Sequence, residues 1–286
     1  MTSPPPGGLS DDLRLALHSY QQGDVARAGA ACERVLATAP ADVLALQILS
    51  LVRFAERRTP EAIRLAERAV AANPDDPDSW NNLGLILAHL RRHAEALERY
   101  DRAIAIAPHH AAALLNRGNA LWELGRLHDA VISYDRALAV QPDYVEAHYN
   151  RANVAALFGH FSEALAGYEK VLALRPDTPA ALFGRGTARA ELKRHDEALS
   201  DFGRLLAVDP DHPYARGTAL RRAQEACDWR PSWPRPSDIE ADVRAGKPTV
   251  ASFAFLGMSA SPEAHLACAR TWMRRYPPPA TALWRG

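Results

Sequence analysis

Apolar and small residues recur along this chain on two helical faces that repeat every 34 residues. In the unit that begins at Pro77, Leu83 and Leu87 share one face of a first helix, and Ala96 and Tyr100 share one face of a second. Each unit ends in a proline, which cannot continue the second helix. These prolines are Pro40, Pro74, Pro108, Pro142, Pro176 and Pro210. Such a period predicts stacked helix–turn–helix units, each with a helix A and a helix B.

Each recurring position within a unit has a mechanical role. Small residues at positions 8 and 20 let the two helices approach, and the aromatic residue at position 24 fills the gap that they leave. Position 8 is Gly84, Gly118, Ala152 and Gly186, and position 24 is Tyr100, Tyr134, Tyr168 and Phe202. We expect the turn between the helices near positions 14 to 17, where two units carry Gly125 and Gly159.

The unit beginning at Pro77 reads W-x2-L-G-x2-L from Trp80. It continues with Ala96, Tyr100, Ala103 and Pro108 at positions 20, 24, 27 and 32. This pattern resembles the tetratricopeptide repeat (TPR). The resemblance implies an all-α fold: a right-handed superhelical solenoid of six 34-residue repeats plus a partial seventh, followed by a short irregular and helical C-terminal extension.

The repeat frame predicts five segments along the chain. They are a disordered start at residues 1–8, two degenerate repeats at 9–76, four regular repeats at 77–212, the helix of a partial seventh repeat at 213–229 and a proline-rich joint at 230–286. Terminal repeats drift in sequence because one of their faces must tolerate water, which accounts for the degenerate pair.

Asparagine recurs in the A helices, which line the concave surface of a stacked array. Position 6 is Asn82, Asn116 and Asn150, and position 9, one turn further on the same face, is Asn119 and Asn153. Asparagine lowers helix propensity, but its amide offers a donor and an acceptor that complement a peptide backbone. We predict that this asparagine strip binds an extended polypeptide. The alternative is that the amides bond neighbouring repeats.

Charged residues recur in the same frame. Position 7 is Arg117, Arg151 and Arg185, and position 25 is Asp101, Asp135 and Glu169. We expect structural salt bridges between these two positions, and a groove for an acidic ligand is the alternative. Some TPR proteins instead clamp a C-terminal carboxylate with lysine at position 5. Asn81, Leu115 and Tyr149 at that position disfavour such a clamp.

Composition excludes several functions. Lys plus Arg equals Asp plus Glu at 34 each, so no net field favours nucleic acid. No 18-residue apolar window or signal sequence is present, and the three cysteines suit free thiols, so we expect a cytoplasmic protein without membrane contact. No catalytic motif and no cofactor site are evident, and Cys227 is interpreted as buried in the joint.

The histidines do not form a metal site in this frame. His109 and His110 are adjacent in one turn, and the remaining turn histidines occur once per turn. These are His93, His128, His160 and His195. No cysteine or carboxylate cluster completes a ligand set, so we expect no metal.

The repeat pattern ends near Cys227, and five prolines fall between Pro231 and Pro262. Two short helices are predicted in this joint, over 237–245 and over 262–276 with Ser261 as N-cap. The apolar run 250–256 is predicted to be an extended piece that packs back on the solenoid.

The segments from His212 to Trp229 and from Lys247 to Trp272 resemble the joint between repeats and catalyst in bacterial relatives of O-linked N-acetylglucosamine transferase, the SPINDLY-like enzymes of glycosyltransferase family 41. In that family two Rossmann-like lobes follow, and this sequence has no alternating strand–helix pattern for them. We therefore predict a non-enzymatic protein-binding scaffold that holds a protein or peptide in the concave groove. The alternative is the recognition portion of such a transferase, with a catalytic domain in trans. Oligomerisation is compatible with either.

Overall fold

The structure is a computed structural model that describes residues 10–228, 230 and 233–275. All regular secondary structure in these ranges is α-helical, which confirms the predicted all-α repeat fold. The start predicted to be disordered, Trp229 and the end of the joint lie outside the described residues. The chain divides into two compact units between Ala147 and His148.

The first unit consists of four helical hairpins, in which each helix packs on the next along the chain. The hairpins are α1 (Asp11–Gln21) with α2 (Val25–Thr38), α3 (Val43–Ala55) with α4 (Thr59–Ala72), α5 (Pro77–His89) with α6 (His93–Ile106), and α7 (Ala111–Glu123) with α8 (Leu127–Val140). The unit boundary falls in the first turn of α9 (Val145–Leu157).

Acidic N-caps start two of the A helices. The Asp42 carboxylate accepts a hydrogen bond from the N–H of Ala45 at 2.8 Å, and the Asp76 carboxylate accepts one from the N–H of Ser79 at 2.8 Å. Each cap satisfies an amide that has no partner inside its helix. The cap residue follows the proline that ends the preceding repeat, so the inter-repeat turn is determined locally on both sides.

The turns between helix A and helix B share one backbone conformation. The residue at position 15 has a positive φ of 60° to 77° in each of the six repeats. These residues are Gly23, Arg57, Arg91, Gly125, Gly159 and Lys193. In the third hairpin the N–H of Arg92 donates to the carbonyl oxygen of Leu87 at 3.0 Å, which closes the end of α5. Three of the six turns therefore place a long cationic residue in a conformation that favours glycine.

The predicted packing of small and aromatic residues is confirmed in the first unit. A Cβ atom on Gly84 would lie 2.6 Å from Cε1 of Tyr100, and one on Gly118 would overlap the ring of Tyr134. Both tyrosines are 1 % exposed. Glycine at position 8 is therefore required for the ring to fit between the two helices.

The second unit continues the hairpin pattern and then departs from it. Its helices after α9 are α10 (Phe161–Leu174), α11 (Pro179–Glu191), α12 (His195–Val208), α13 (Ala215–Glu225), α14 (Pro236–Arg244), α15 (Ser252–Phe255) and α16 (Pro262–Arg275). Helix α13 is a seventh helix A, and Cys227 at its position 15 has a φ of 54°. Cys227 is exposed, so its interpretation as a buried joint residue is wrong, because this turn projects away from the core.

The segment after α14 packs directly on α13. The N–H groups of Tyr214 and Gly217 donate to the carbonyl oxygens of Pro248 and Thr249 at 2.7 and 3.0 Å. A Cβ atom on Gly217 would lie 2.6 Å from Cβ of Val250. The segment therefore supplies acceptors for the start of α13 and excludes any side chain at position 217.

A small hydrophobic core joins α13 to the three helices that follow it. Its buried residues are Leu220, Ile239, Val243, Val250, Phe255, Ala264 and Cys268. The extended structure predicted for 250–256 is wrong: the chain turns through α15, which directs the fully buried Phe255 into this core. Ser261 caps α16 as predicted, accepting a hydrogen bond from the N–H of Ala264 at 3.2 Å.

Candidate functional site

The A helices of the first unit form the more closely spaced of its two helical layers. Helix α1 contacts α3, α3 contacts α5, and α5 contacts α7. Successive B helices make no comparable contacts within residues 10–147. Since the A helices are closer together, their outer faces lie on the inner side of this unit's curvature. We call this surface the A-face.

Two asparagines of the strip lie on α5 and α7. Asn82 is half-buried and makes no side-chain hydrogen bond to the described residues. Asn116 is also half-buried, and its Nδ2 donates to Oδ1 of Asn81 in the preceding repeat at 3.0 Å. Asn81 is 8 % exposed. Asn116 therefore contacts the neighbouring repeat, as the alternative interpretation expects, while its own carbonyl oxygen has no partner among the described residues.

The asparagines at position 9 contact the aromatic residue of their own repeat. The hydroxyl of Tyr134 donates to Oδ1 of Asn119 at 2.9 Å, and the hydroxyl of Tyr168 donates to Oδ1 of Asn153 at 2.8 Å. Burial raises the pKa of both tyrosines well above the usual range, so the hydroxyls remain donors at neutral pH. The amides of Asn119 and Asn153 therefore satisfy buried hydroxyl groups.

In the second unit Asn150 and Asn153 lie on α9, one turn apart and half-buried. The ring of Tyr149 packs beside that of Tyr168, with centroids 6.1 Å apart. The structure therefore brings together Asn82 and Asn116 with the α7 residue Asn119 in the first unit, and Asn150 with Asn153 in the second.

A cleft on the A-face contains part of the strip. It has a volume of about 180 Å³ and lies between α5, the start of α6 and α7. Its lining is Leu85, Ala88, His89, His93, Tyr100, Asn116, Asn119, Ala120 and Glu123. We call it the His93 cleft. Its lining therefore includes two asparagines of the strip, the imidazole of His93 and the carboxylate-bearing residue Glu123.

The predicted pairing of positions 7 and 25 holds for one pair and fails for another. Nε of Arg117 lies 2.6 Å from Oδ1 of Asp101, as predicted. Arg185 instead binds Asp201 at 2.5 Å, and Glu169 pairs with Arg189 at 3.3 Å. The prediction for Arg185 is wrong because Asp201, which is 3 % exposed, lies on the α12 surface that packs against α11.

The described residues give little geometric support for a metal site, a reactive thiol or a membrane-spanning helix. Among these residues, no group of three or more His, Cys, Asp or Glu side chains is arranged to hold a metal ion. Burial, followed by the charge of Asp42, raises the pKa of Cys32 to about 11, so this thiol is protonated at neutral pH. No described helix has both the length and the apolar character needed to cross a bilayer.

His93 and Glu123 line the cleft but were not predicted as ligand contacts. The repeat frame identified His93 only as a turn histidine. A signal was available, because a residue that starts helix B and one that ends the next helix A approach each other across a repeat boundary. The Asn–Tyr bonds had only a partial signal: Asn119 and Asn153 occur in repeats with tyrosine at position 24 and the repeat with Phe202 has Thr187, but the repeat with Tyr100 has Leu85.

Two family models match the chain. The one described as a tetratricopeptide repeat matches residues 49–111 and 158–215, and one described as a TPR repeat matches residues 118–157. A comparison with curated protein sequences found no match.

Several solved structures share the fold. PilW, described as a widely conserved type IV pilus biogenesis factor, is 23% identical, covers 73% of this chain and 96% of its own, and has a TM-score of 0.65. PilF of Pseudomonas aeruginosa is 18% identical, with coverages of 75% and 96% and a TM-score of 0.67. YrrB, described as a TPR protein with an unusual peptide-binding site, is 16% identical, with coverages of 68% and 97% and a TM-score of 0.54.

At these identities the structural similarity shows the fold alone. The family models cover more than half of the chain, and their matches fall on the hairpins described above. The chain therefore belongs to the tetratricopeptide repeat family.

Proposed function

We propose that this chain is a protein–protein interaction scaffold that binds an extended polypeptide through the asparagine strip. The tetratricopeptide fold supports a scaffold role. The proposal that the strip binds a polypeptide rests on Asn82. This residue lies in the middle of α5 on the A-face, and its amide has no side-chain partner among the described residues. Such a residue lowers helix propensity without a compensating contact in the free protein. Binding a peptide backbone supplies that contact.

Asn116 supports the same proposal through its remaining acceptor. Asn116 lines the His93 cleft, and its Nδ2 donates to Asn81, so its carbonyl oxygen remains as an acceptor. An acceptor in this position suits the N–H of an extended chain. Asn119, Asn150 and Asn153 complete the proposed strip. Since Asn119 and Asn153 also bond tyrosines, Asn82 gives the clearest test of binding.

The test uses a positional-scanning library of ten-residue peptides with amidated C-termini and with either free or acetylated N-termini, and the full chain is the receptor. We expect Asn82→Ala to weaken every bound sequence by about 2- to 10-fold, since a net hydrogen bond contributes about 0.5–1.5 kcal/mol. The loss is similar across sequences because a backbone contact does not depend on side chains. Thermal stability stays unchanged or rises slightly, since alanine is the better helix former.

Asn73→Ala is the matched control. Asn73 is exposed at the end of α4, where its Oδ1 accepts a hydrogen bond from the N–H of Asp75 at 3.2 Å. This change leaves peptide affinity unaltered. Equal affinities for Asn82→Ala and the parent chain, or no binding of any library peptide, would reject the proposal.

A second candidate function is the recognition portion of a family 41 protein glycosyltransferase. The resemblance of residues 212–229 and 247–272 to the joint of that family favours it. In this function the chain presents a bound polypeptide to a catalytic domain in trans and does not itself bind UDP-N-acetylglucosamine. The test adds the chain to a family 41 catalytic domain without repeats. Faster transfer to a protein acceptor supports this function, and an unchanged rate contradicts it.

A further inference from the structure

The His93 cleft contains an imidazole that makes no hydrogen bond to the protein. Both ring nitrogens of His93 are inaccessible to solvent and make no hydrogen bond. The side chain is 14% exposed. The imidazole therefore forms part of the cleft wall, and the polar groups that a ligand can reach belong to its neighbours.

Glu123 and Asn116 line the cleft together with His93. Oε2 of Glu123 lies 3.8 Å from Nε2 of His93 and 3.5 Å from Nη2 of Arg91. Neither distance is that of a strong ion pair, and Arg91 is 81% exposed. Oδ1 of Asn116 has no partner among the described residues. The cleft therefore offers acceptors with only loose contacts to the protein.

The size of the cleft limits what it holds. Pockets for small molecules occupy about 300–1,000 Å³, whereas this cleft has about 180 Å³. It therefore suits one group of a longer ligand that lies along the A-face. A carboxylate would meet the charge of Glu123, and an apolar side chain would leave the acceptors unpaired.

We propose that the His93 cleft binds a primary ammonium group of the bound polypeptide, either a lysine side chain or an N-terminal amine. This inference rests on the proposed peptide-binding function. An ammonium group has three N–H donors and no acceptor. Two of these donors match the Glu123 carboxylate and Oδ1 of Asn116, and the third remains available to solvent. A guanidinium, with five donors, would leave some unpaired.

The test measures fluorescence anisotropy with peptides recovered from the positional-scanning library. At each position lysine is compared with norleucine, Nε-acetyl-lysine and arginine, and free N-termini are compared with acetylated ones. We expect one lysine position, or the free N-terminus, to bind about tenfold more tightly than its neutral counterpart. This preference falls to about twofold or less in Glu123→Gln, which retains the shape of the side chain but not its charge.

Glu191→Gln is the matched control, because Glu191 occupies the same repeat position and its carboxylate is engaged by Arg222 at 2.5 Å. It leaves the ammonium preference unchanged. If peptides bind and Asn82→Ala weakens them, yet no ammonium preference appears or Glu123→Gln retains it, the inference is overturned and the proposed function stands. If no library peptide binds, both are rejected.

A gain-of-affinity variant tests the same contact independently. Arg91→Gly removes the cation nearest to Glu123 and raises affinity for the ammonium peptide about two- to fivefold, the range of a weak exposed ion pair. Arg57→Gly makes the same change at the same turn position of the preceding repeat and has no effect on this affinity. Equal affinities of Arg91→Gly and the parent chain contradict the inference.

Discussion

Asn153 has a structural role that is independent of any ligand. Its Oδ1 accepts the hydroxyl of Tyr168, which is 3 % exposed and packs between the helices of its repeat. Without the amide, that hydroxyl would lose its bond in a place where it has little access to water. One strip therefore contains residues of two kinds, those that support an aromatic ring and those available to a partner.

We expect Asn153→Ala to lower the free energy of unfolding by about 1–3 kcal/mol, because it leaves the Tyr168 hydroxyl unsatisfied. Tyr168→Phe in the same chain restores part of this loss, since the ring stays and the polar atom is removed. Chemical denaturation of the two single variants and the double variant measures the coupling. Additive losses would show that the bond contributes nothing to stability.

Residue roles in this strip were only partly predictable from the sequence. The 34-residue frame placed the asparagines in the A helices, and helical spacing put positions 6 and 9 on one face. The repeat frame does not determine side-chain rotamers. Only the three-dimensional structure shows that Asn153 bonds the hydroxyl of Tyr168. The sequence also did not predict that the ring of His93 makes no hydrogen bond, because that depends on the positions of all the surrounding side chains.

At the scale of the helix, the turn after helix A is a recurring point of backbone strain. Arg57, Arg91 and Lys193 occupy the left-handed region where their counterparts are glycines. A residue with a side chain in that region lowers the stability of the fold by about 1–2 kcal/mol. Replacing it with glycine recovers only part of this stability, because glycine loses more backbone entropy on folding.

Lys193→Gly should therefore raise the free energy of unfolding by about 0.5–1 kcal/mol, and Gly159→Ala should lower it by about 1–2 kcal/mol. A Cβ atom on Gly159 would have no neighbour within 4 Å, so this loss reflects the backbone alone. Guanidinium denaturation provides the measurement. Gly203→Ala within α12 is the control and is expected to stabilise, since its backbone is helical. A loss of stability in Lys193→Gly, or a gain in Gly159→Ala, would contradict the assignment of strain.

Helix boundaries were the most predictable feature of this chain. Prolines and polar turn residues placed the hairpins, and the predicted helices over 237–245 and 262–276 correspond to Pro236–Arg244 and Pro262–Arg275. The failure at 250–256 has a specific cause: an apolar run indicates burial but does not separate an extended segment from a short helix. The contact with α13 decided between them.

At the scale of the whole molecule, the segment after the repeats is part of the fold rather than a loose connection. Three kinds of contact hold this segment to α13 and the residue before it. The N–H groups of Tyr214 and Gly217 donate to the carbonyl oxygens of Pro248 and Thr249. Arg216 forms an ion pair with Asp242 at 2.5 Å, and the ring centroids of Tyr214 and Trp272 lie 5.5 Å apart. These residues are far apart in sequence, so periodicity gave no indication of them.

Gly217→Ala tests this attachment. The added methyl group overlaps Val250 and the Thr249 carbonyl, and we expect a loss of about 1–3 kcal/mol from overpacking. Faster proteolysis within residues 246–251 should accompany the loss. Gly257→Ala is the control, since a Cβ atom there would meet nothing within 4 Å. Unchanged stability and proteolysis for Gly217→Ala would show that the segment is not held by this contact.

The identical A–B turns have a consequence for genetic recombination within the gene. Arg57 and Arg91 occupy equivalent points of two hairpins in the first unit, with the same sign and size of φ. An unequal crossover that joins the codon of Arg57 to that of Arg92 removes one 34-residue period and leaves an intact helix A, turn and helix B. The array can therefore shorten or lengthen by whole hairpins without a new turn.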